Sequence, residues 1–227
     1  MIDRDNRDKL IVEIQNFLNE KTDSFEFDEN IFEIQSNTKD ETIDFIVTFL
    51  WYFYDDIKSH KVTIEKSEWD AIQRLLLILK SDKEITEKIE RKYTLRQAIS
   101  AGLLALSVFS YFYVGYSIKL LFIFMGLGIV SMSISWWKNK TVDNNEINWQ
   151  IYPFSSISEL LKLRREQKSF RKQAFNKKIE NRRIRSTLEN IFLQINFRLY
   201  WLIFSPLVLF YQSLPEANKI IEIKEAA

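Results

Sequence analysis

Few residues in this chain have the type and spacing to do chemistry. His60 is the only histidine, and it follows Asp56 by four positions in WYFYDDIKSH. On a helix those two side chains would share a face and could hold a metal ion between a carboxylate and an imidazole. Two ligands do not complete a site, and Asp55 lies at another azimuth. There is no cysteine, so thiolate metal sites, disulfides and a Cys–His pair are excluded. A zinc centre with two or three histidines is excluded as well, and a Ser–His triad would have to use His60. The simpler reading is a surface histidine at a helix C-terminus, where its positive form is favoured. No catalytic, cofactor-binding or metal-ligating residue is assigned, no cofactor is expected, and the chain is read as not an enzyme.

A second candidate is electrostatic. Between Lys162 and Arg185 there are eleven basic side chains against two glutamates: Lys162, Arg164, Arg165, Lys168, Arg171, Lys172, Lys177, Lys178, Arg182, Arg183 and Arg185. Apolar residues recur among them at roughly helical spacing (Leu160, Leu161, Phe170, Ala174, Phe175, Ile179), which predicts a basic amphipathic helix. Such a segment near a membrane span contacts anionic headgroups, at about 1 kcal/mol per cation near the surface. Pairing with acidic parts of the same protein is the alternative. Nucleic acid is not an expected partner, because no recognised motif accompanies the charge.

The element that must position this segment is Gln97–Trp137. From Ala98 to Trp137 it holds one charge, Lys119, beside the turn Gly115–Ser117. The uncharged runs on either side, 17 residues to Val114 and 18 from Leu120, would reach about 26 and 27 Å as helices, close to a bilayer core of about 30 Å. A transmembrane helical hairpin is expected. Small residues at three- and four-residue spacing, Ala98, Ala101, Gly102 and Ala105 on the first span and Gly128, Ser131 and Ser135 on the second, are candidate helix-packing or oligomer contacts.

The flanks differ in charge: residues 1–96 carry 22 acids and 15 bases, and the remainder 9 and 17. Lys88, Arg91, Lys92 and Arg96 precede the first span, and Lys138 and Lys140 follow the second, so the positive-inside rule puts both flanks in the cytoplasm. The charged N-terminus lacks an apolar h-region, so no cleavable signal peptide is expected. Residues 1–101 contain neither glycine nor proline, which excludes phosphate-cradling and dinucleotide loops there and favours a helical domain. Apolar spacing predicts helices over residues 3–20, from a capping box at Thr38–Glu41, and from Ser67 to Leu79. A further box at Ser81–Glu84 predicts a helix running on through Arg96 into the first span. Ser24–Gln35 reads as a small hairpin, Lys61–Ile64 as a short strand, and Ile147–Tyr152 as a strand ending before Pro153. The aromatic run Leu50–Tyr54 reads as a core stripe. The last apolar stretch, Ile191–Leu214, has an uninterrupted centre of only 13 residues, Leu199–Tyr211. It suits a third span or an interfacial or re-entrant segment.

The expected fold is mainly α: an integral membrane protein with a two-helix transmembrane hairpin, cytoplasmic helical flanks and at most minor β. Its expected segments are an acidic cytoplasmic helical domain (1–96), the hairpin (97–137), a basic cytoplasmic region with one short strand and an amphipathic helix (138–190), and a third membrane-associated or membrane-spanning helix with a short tail (191–227). Membrane lipid and a protein partner or self-association are the expected partners. The expected function is a membrane-anchored scaffold, sensor or regulatory subunit, with an oligomeric pore or membrane-permeabilising effector as the alternative. Richness in Ile, Asn, Lys and Phe points to an AT-rich bacterial genome, hence an inner-membrane location.

Overall fold

The structure, a computed structural model, describes residues 2–55, 57–142, 150–180 and 182–225. It is mainly helical, with one two-stranded sheet. The chain forms two compact units, each assembled from separate stretches: one from Met1–Lys88, Ile147–Ile184 and Ile220–Ala227, the other from Ile89–Glu146 and Arg185–Lys219. Four consecutive segments were expected. Instead the posterior basic region and the C-terminal tail belong to the same unit as the N-terminal helices.

The first unit contains α1 (Arg4–Leu18), α2 (Ser24–Ser36), α3 (Glu41–Leu50) with a 3-10 turn over Trp51–Phe53, and α4 (Lys66–Leu79). Helix α4 is buried on every side from Ala71 to Leu79, as its Leu75–Leu79 run demands. Around it pack Leu10, Ile14 and Phe17 of α1, Phe27 and Ile31 of α2, and Ile43 and Ile46 of α3. Phe17 stacks on Phe27 at 4.4 Å between centroids. Ser24–Gln35 is helical rather than a hairpin: Phe27, Ile31 and Ile34 form the buried face, and Asp23 accepts from the N–H groups of Phe25 and Glu26. That 3.6-residue stripe outweighs the two-residue alternation of Phe25 and Phe27. Helix α3 starts two residues later than the capping box at Thr38 implied, with Asp40 as its cap. Helix α4 is capped by Glu65, whose N–H donates to Glu68 at 2.6 Å, rather than by Ser67. The aromatic run is only partly core: Leu50 and Phe53 are buried, while Trp51 and Tyr52 are exposed.

An ion pair inside this unit joins α1 to the start of α3. Arg7 and Asp40 are both buried; Nε donates to one carboxylate oxygen at 2.6 Å and Nη2 to the other at 3.0 Å. The remaining guanidinium N–H groups reach Thr42 Oγ1 and the carbonyls of Ser81 and Lys83, so the buried cation is satisfied throughout. Burial alone would raise the Asp40 pKa. Hydrogen bonds from Arg7 and the Asp3 N–H, with the Arg7 charge, outweigh it and hold the carboxyl below its ordinary value.

Lys83–Lys92 is strand β1, not a helix running into the first span; it pairs with β2 (Glu216–Glu225). Lys83 meets Glu225 at 2.7 Å and Thr86 Oγ1 reaches the Glu222 carbonyl at 3.4 Å, so contacts run in opposite order and the pair is antiparallel. The short tail is therefore a structural element. Lys61–Ile64 carries no strand, and Gln150–Tyr152 is a turn; residues 147–149 of the other expected strand lie outside the described residues.

In the same unit, α7 (Ile157–Glu166) buries Leu163, and the described residues beyond it to 184 are non-helical, with turns at 168–169 and 177–180. The expected long basic helix is thus confined to its first ten residues. Continuing it would stack like charges at i, i+3 and i+4. The non-helical chain around Gln173 instead lies on α4. Trp69 Nε1 donates to the Gln173 carbonyl at 3.0 Å, Gln73 Oε1 accepts the Gln173 N–H at 2.8 Å, and Phe175 meets the Trp69 ring edge-on.

The second unit holds α5 (Leu95–Val114), α6 (Ile118–Val142), α8 (Thr187–Ile203) and α9 (Ser205–Ser213). Thr94 and Gln97 form a capping box at the start of α5, and Gly115, at φ +69°, ends it in a backbone conformation that favours glycine. Helices α5 and α6 are each long and apolar enough to cross a membrane. Helices α8 and α9 are bent by 82° at the break between them, which opens the first turn of α9 at Pro206. Helix α9 packs against α5 and α6, and α8 against α6.

Candidate functional site

His60 sits in the turn after the 3-10 segment, not on a helix, so the face-sharing premise for a metal pair with residue 56 fails; Asp56 itself lies outside the described residues. The His60 Nε2 accepts the Asp55 N–H at 3.0 Å, and Nδ1 lies 2.7 Å from the Lys61 carbonyl. A backbone N–H only donates and a carbonyl only accepts, so the ring is held as the Nδ1–H tautomer with both nitrogens engaged. Its backbone exchanges two further hydrogen bonds with Ser24 at the start of α2. His60 closes a turn. Among the described residues, no group of three His, Asp or Glu side chains is placed to hold a metal ion.

The basic side chains divide. Lys162, Arg164 and Arg165 stand on α7, and Lys168, Arg171, Lys172, Lys177, Lys178, Arg182 and Arg183 on the non-helical chain after it; Arg185 opens the second unit's last stretch. Lys172 bridges Asp70 of α4 at 2.8 Å, and Arg182 pairs with Glu20 after α1. Lys162 lies 3.9 Å from both Glu166 and Glu225. Part of the positive charge thus meets acids of the N-terminal helices. Arg164, Arg165, Lys168, Arg171, Lys177 and Lys178 are exposed and have no ion-pair partner among the described residues.

The second unit buries mostly small and polar residues and exposes many large apolar ones. Its buried positions on α5 are Gln97, Ser100, Ser107 and Ser110, and on α6 Leu120, Leu127, Gly128 and Ser131. Ser131 Oγ donates to Gln212 Oε1 at 2.9 Å and accepts Trp201 Nε1–H at 3.0 Å. The Gln212 amide donates to the Ser131 carbonyl at 3.1 Å and to Ser135 Oγ at 2.8 Å. Ser205 Oγ reaches the Phe124 carbonyl at 2.6 Å. This clasp fastens α8 and α9 to α6. At Gly128 a Cβ would lie 2.9 Å from the Leu202 Cα, so only glycine lets α8 approach this closely. Gly128, Ser131 and Ser135 therefore face α8 and α9. Ala98, Ala101, Gly102 and Ala105 are exposed.

Gln212, Trp201 and Ser205 complete the clasp and were not anticipated. The available signal was an amide just beyond the apolar centre Leu199–Tyr211, since an unpaired amide is costly in an apolar setting. No known protein family matches the chain, and neither a curated protein nor a solved structure matches it.

Proposed function

We propose that the chain is an integral membrane protein in which the α5–α6 hairpin and the bent α8–α9 pair anchor a cytoplasmic helical interaction domain, acting as a non-enzymatic scaffold, sensor or regulatory subunit. The observation that carries the membrane reading is the inverted burial of the second unit. Beside Leu120, Leu127 and Leu209, its buried positions are serines, a glycine and a glutamine, while Phe109, Phe112, Phe122 and Ile129 are each more than 60% exposed. In water such a surface would aggregate; in lipid, small interior residues and polar clasps are how helices associate.

Chain connectivity supports α8–α9 as a re-entrant element. The chain up to Ile184, shortly before α8, and from Ile220 in the strand that follows α9 belongs to the first unit. A body on one side of the membrane can emit and receive that segment only after an even number of crossings. A third span would part Ile220–Glu225 from β1. The bend of 82° is the geometry of a segment that turns back. Lys88, Arg91 and Lys92 before α5, with Arg96 in its first turn, support a cytoplasmic first unit, in a bacterial inner membrane.

Exposed Trp51, Tyr52 and Ile57 offer an apolar surface for a protein partner, and the unpaired cations favour anionic lipid nearby. The pore alternative draws no support from Ser131 and Ser135, whose hydroxyls are engaged within the chain. The test is in-cell photocrosslinking from residue 52 after membrane isolation and alkaline carbonate extraction. A discrete adduct with one protein, lost in Trp51→Asp, is expected. Carbonate release of the chain contradicts the anchor, and absence of any adduct contradicts the interaction domain.

A further inference from the structure

A groove of about 770 Å³ runs along the outer seam of α1 and α2, within the first unit. Phe17 meets Phe27 and Glu13 accepts from the Asn30 amide at 3.0 Å, so the two helices run antiparallel. The seam of such a pair is where a third helix packs in a bundle. Here it is lined by Asp5, Asp8, Glu13 and Glu33 against one cation, Lys9, a net charge of −3. None of the four carboxylates has an ion-pair partner among the described residues. Val12, 52% exposed, adds an apolar point of contact.

The complement of this groove lies on α7 of the same unit. Leu163 is buried and the helix packs on α4, which leaves the opposite face outward. Ile157, Leu161 and Arg164 stand there at i, i+4 and i+7, with Arg165 beside them. That is the anchor spacing of a helix laid in a groove. Ile157 is 63% exposed and Leu161 42%, and both arginines are exposed without an ion-pair partner among the described residues. The lengths agree as well: Asp5 to Glu13 and Ile157 to Arg165 each cover about 12 Å of helix axis.

We propose that the outward face of α7 docks in the α1–α2 groove of a second copy of this chain, its two arginines meeting the carboxylates while Ile157 and Leu161 cover Val12. The two surfaces do not close within one chain, because Leu163 holds α7 in the core of the unit whose groove opens elsewhere, on α1 and α2. Anionic lipid could neutralise the arginines but is repelled by the groove; a second copy satisfies both surfaces at once. Lys168, Arg171, Lys177 and Lys178 are left for lipid. Unlike surfaces make a heterologous contact, which repeats into rows or closes into a ring. The contact rests on the interaction-domain reading, to which it adds a second copy of the chain as a partner.

The test is the mass of the full chain in a neutral detergent, by light scattering corrected for bound detergent, across protein concentration and salt. Concentration-dependent association is expected, weakened about tenfold between about 50 mM and about 500 mM sodium chloride. Two charge-reversed variants, Arg164→Glu with Arg165→Glu and Asp5→Lys with Asp8→Lys, change only exposed positions. Each should lose at least about tenfold in association, with matched thermal melts confirming the fold. An equimolar mixture of the two variants should associate again, since each acidic surface then finds a basic one. Recovery on mixing separates a head-to-tail contact from a symmetric one and from attraction to lipid. A monomer at every concentration overturns the proposal. So does association that neither variant weakens, which would place the contact in the hairpin. Loss without recovery on mixing also overturns it, in favour of a symmetric contact. None of these outcomes alters the crosslink from residue 52, which tests the interaction domain separately.

Discussion

Gly128 and Gly126 stand two residues apart on α6, yet alanine should act on them in opposite ways. At Gly126, as at Gly102, an added Cβ would meet nothing within 4 Å. At Gly128 it would lie 2.9 Å from the Leu202 Cα, 3.0 Å from its Cδ2 and 3.2 Å from its carbonyl oxygen. Carbon atoms settle at about 3.5 Å or more, so α8 must retreat by about 0.6 Å. The nearest atom is backbone, so no rotamer change can relieve the clash. The retreat stretches the adjacent Trp201–Ser131 hydrogen bond from 3.0 Å toward the limit of hydrogen bonding. Overpacking costs about 1–3 kcal/mol, and a weakened interhelical bond adds about 0.6 kcal/mol. Alanine also gains about 1 kcal/mol of helix propensity, but equally at all three glycines, so the gain cancels in the comparison. Gly128→Ala should therefore be about 2–3 kcal/mol less stable than Gly126→Ala. The assay is reversible unfolding from dodecyl maltoside micelles by added dodecyl sulfate, followed by far-ultraviolet circular dichroism. Equal stability of Gly128→Ala and Gly126→Ala would refute the close approach of α8 to α6.

Three further outcomes are expected. Arg7→Met leaves Asp40 buried without its cation and should cost about 3–5 kcal/mol in chemical denaturation at pH 7. The Asp40 carboxyl is held below its unfolded pKa of about 3.9. Its contribution is therefore complete above that value and is lost as pH falls through the lower folded one; Asp40→Asn should flatten the acid limb of stability against pH, and an unchanged limb would count against the ion pair. A fragment ending at residue 92 lacks Phe154, Leu163 and Ile179 from the core and should show no cooperative thermal transition, whereas a sharp melt would show that α1–α4 suffice. Gln212→Leu removes three clasp contacts and should cost about 1–2 kcal/mol in the same detergent assay.

The hairpin was legible because its signal is local: two uncharged runs of bilayer length parted by a glycine turn. The helices of the first unit were legible for the same reason, through apolar stripes at Leu10–Leu18 and Ile43–Leu50. What escaped depends on distant partners. In β1, Ile85 and Ile89 are spaced as on a helix, and only β2, more than a hundred residues on, makes them a strand; tertiary pairing overrides local pattern there. The basic chain beyond α7 has helical spacing too, but its backbone is claimed by Trp69 and Gln73 of α4. Ser131 was legible as a packing residue without its neighbours, because nothing local says which helix a small residue faces.

The central claim is an even number of crossings, with both ends of α8–α9 on one side. The chain has no cysteine, so single cysteines can be placed at Ser117, Ser169 and Asn218, all exposed, and labelled with a membrane-impermeant maleimide from either face of sealed vesicles. Residues 169 and 218 should label from the cytoplasmic face and residue 117 only from the opposite one. Residue 218 labelling together with 117 would establish a third span and contradict the account, and all three labelling from one face would remove the membrane hairpin itself.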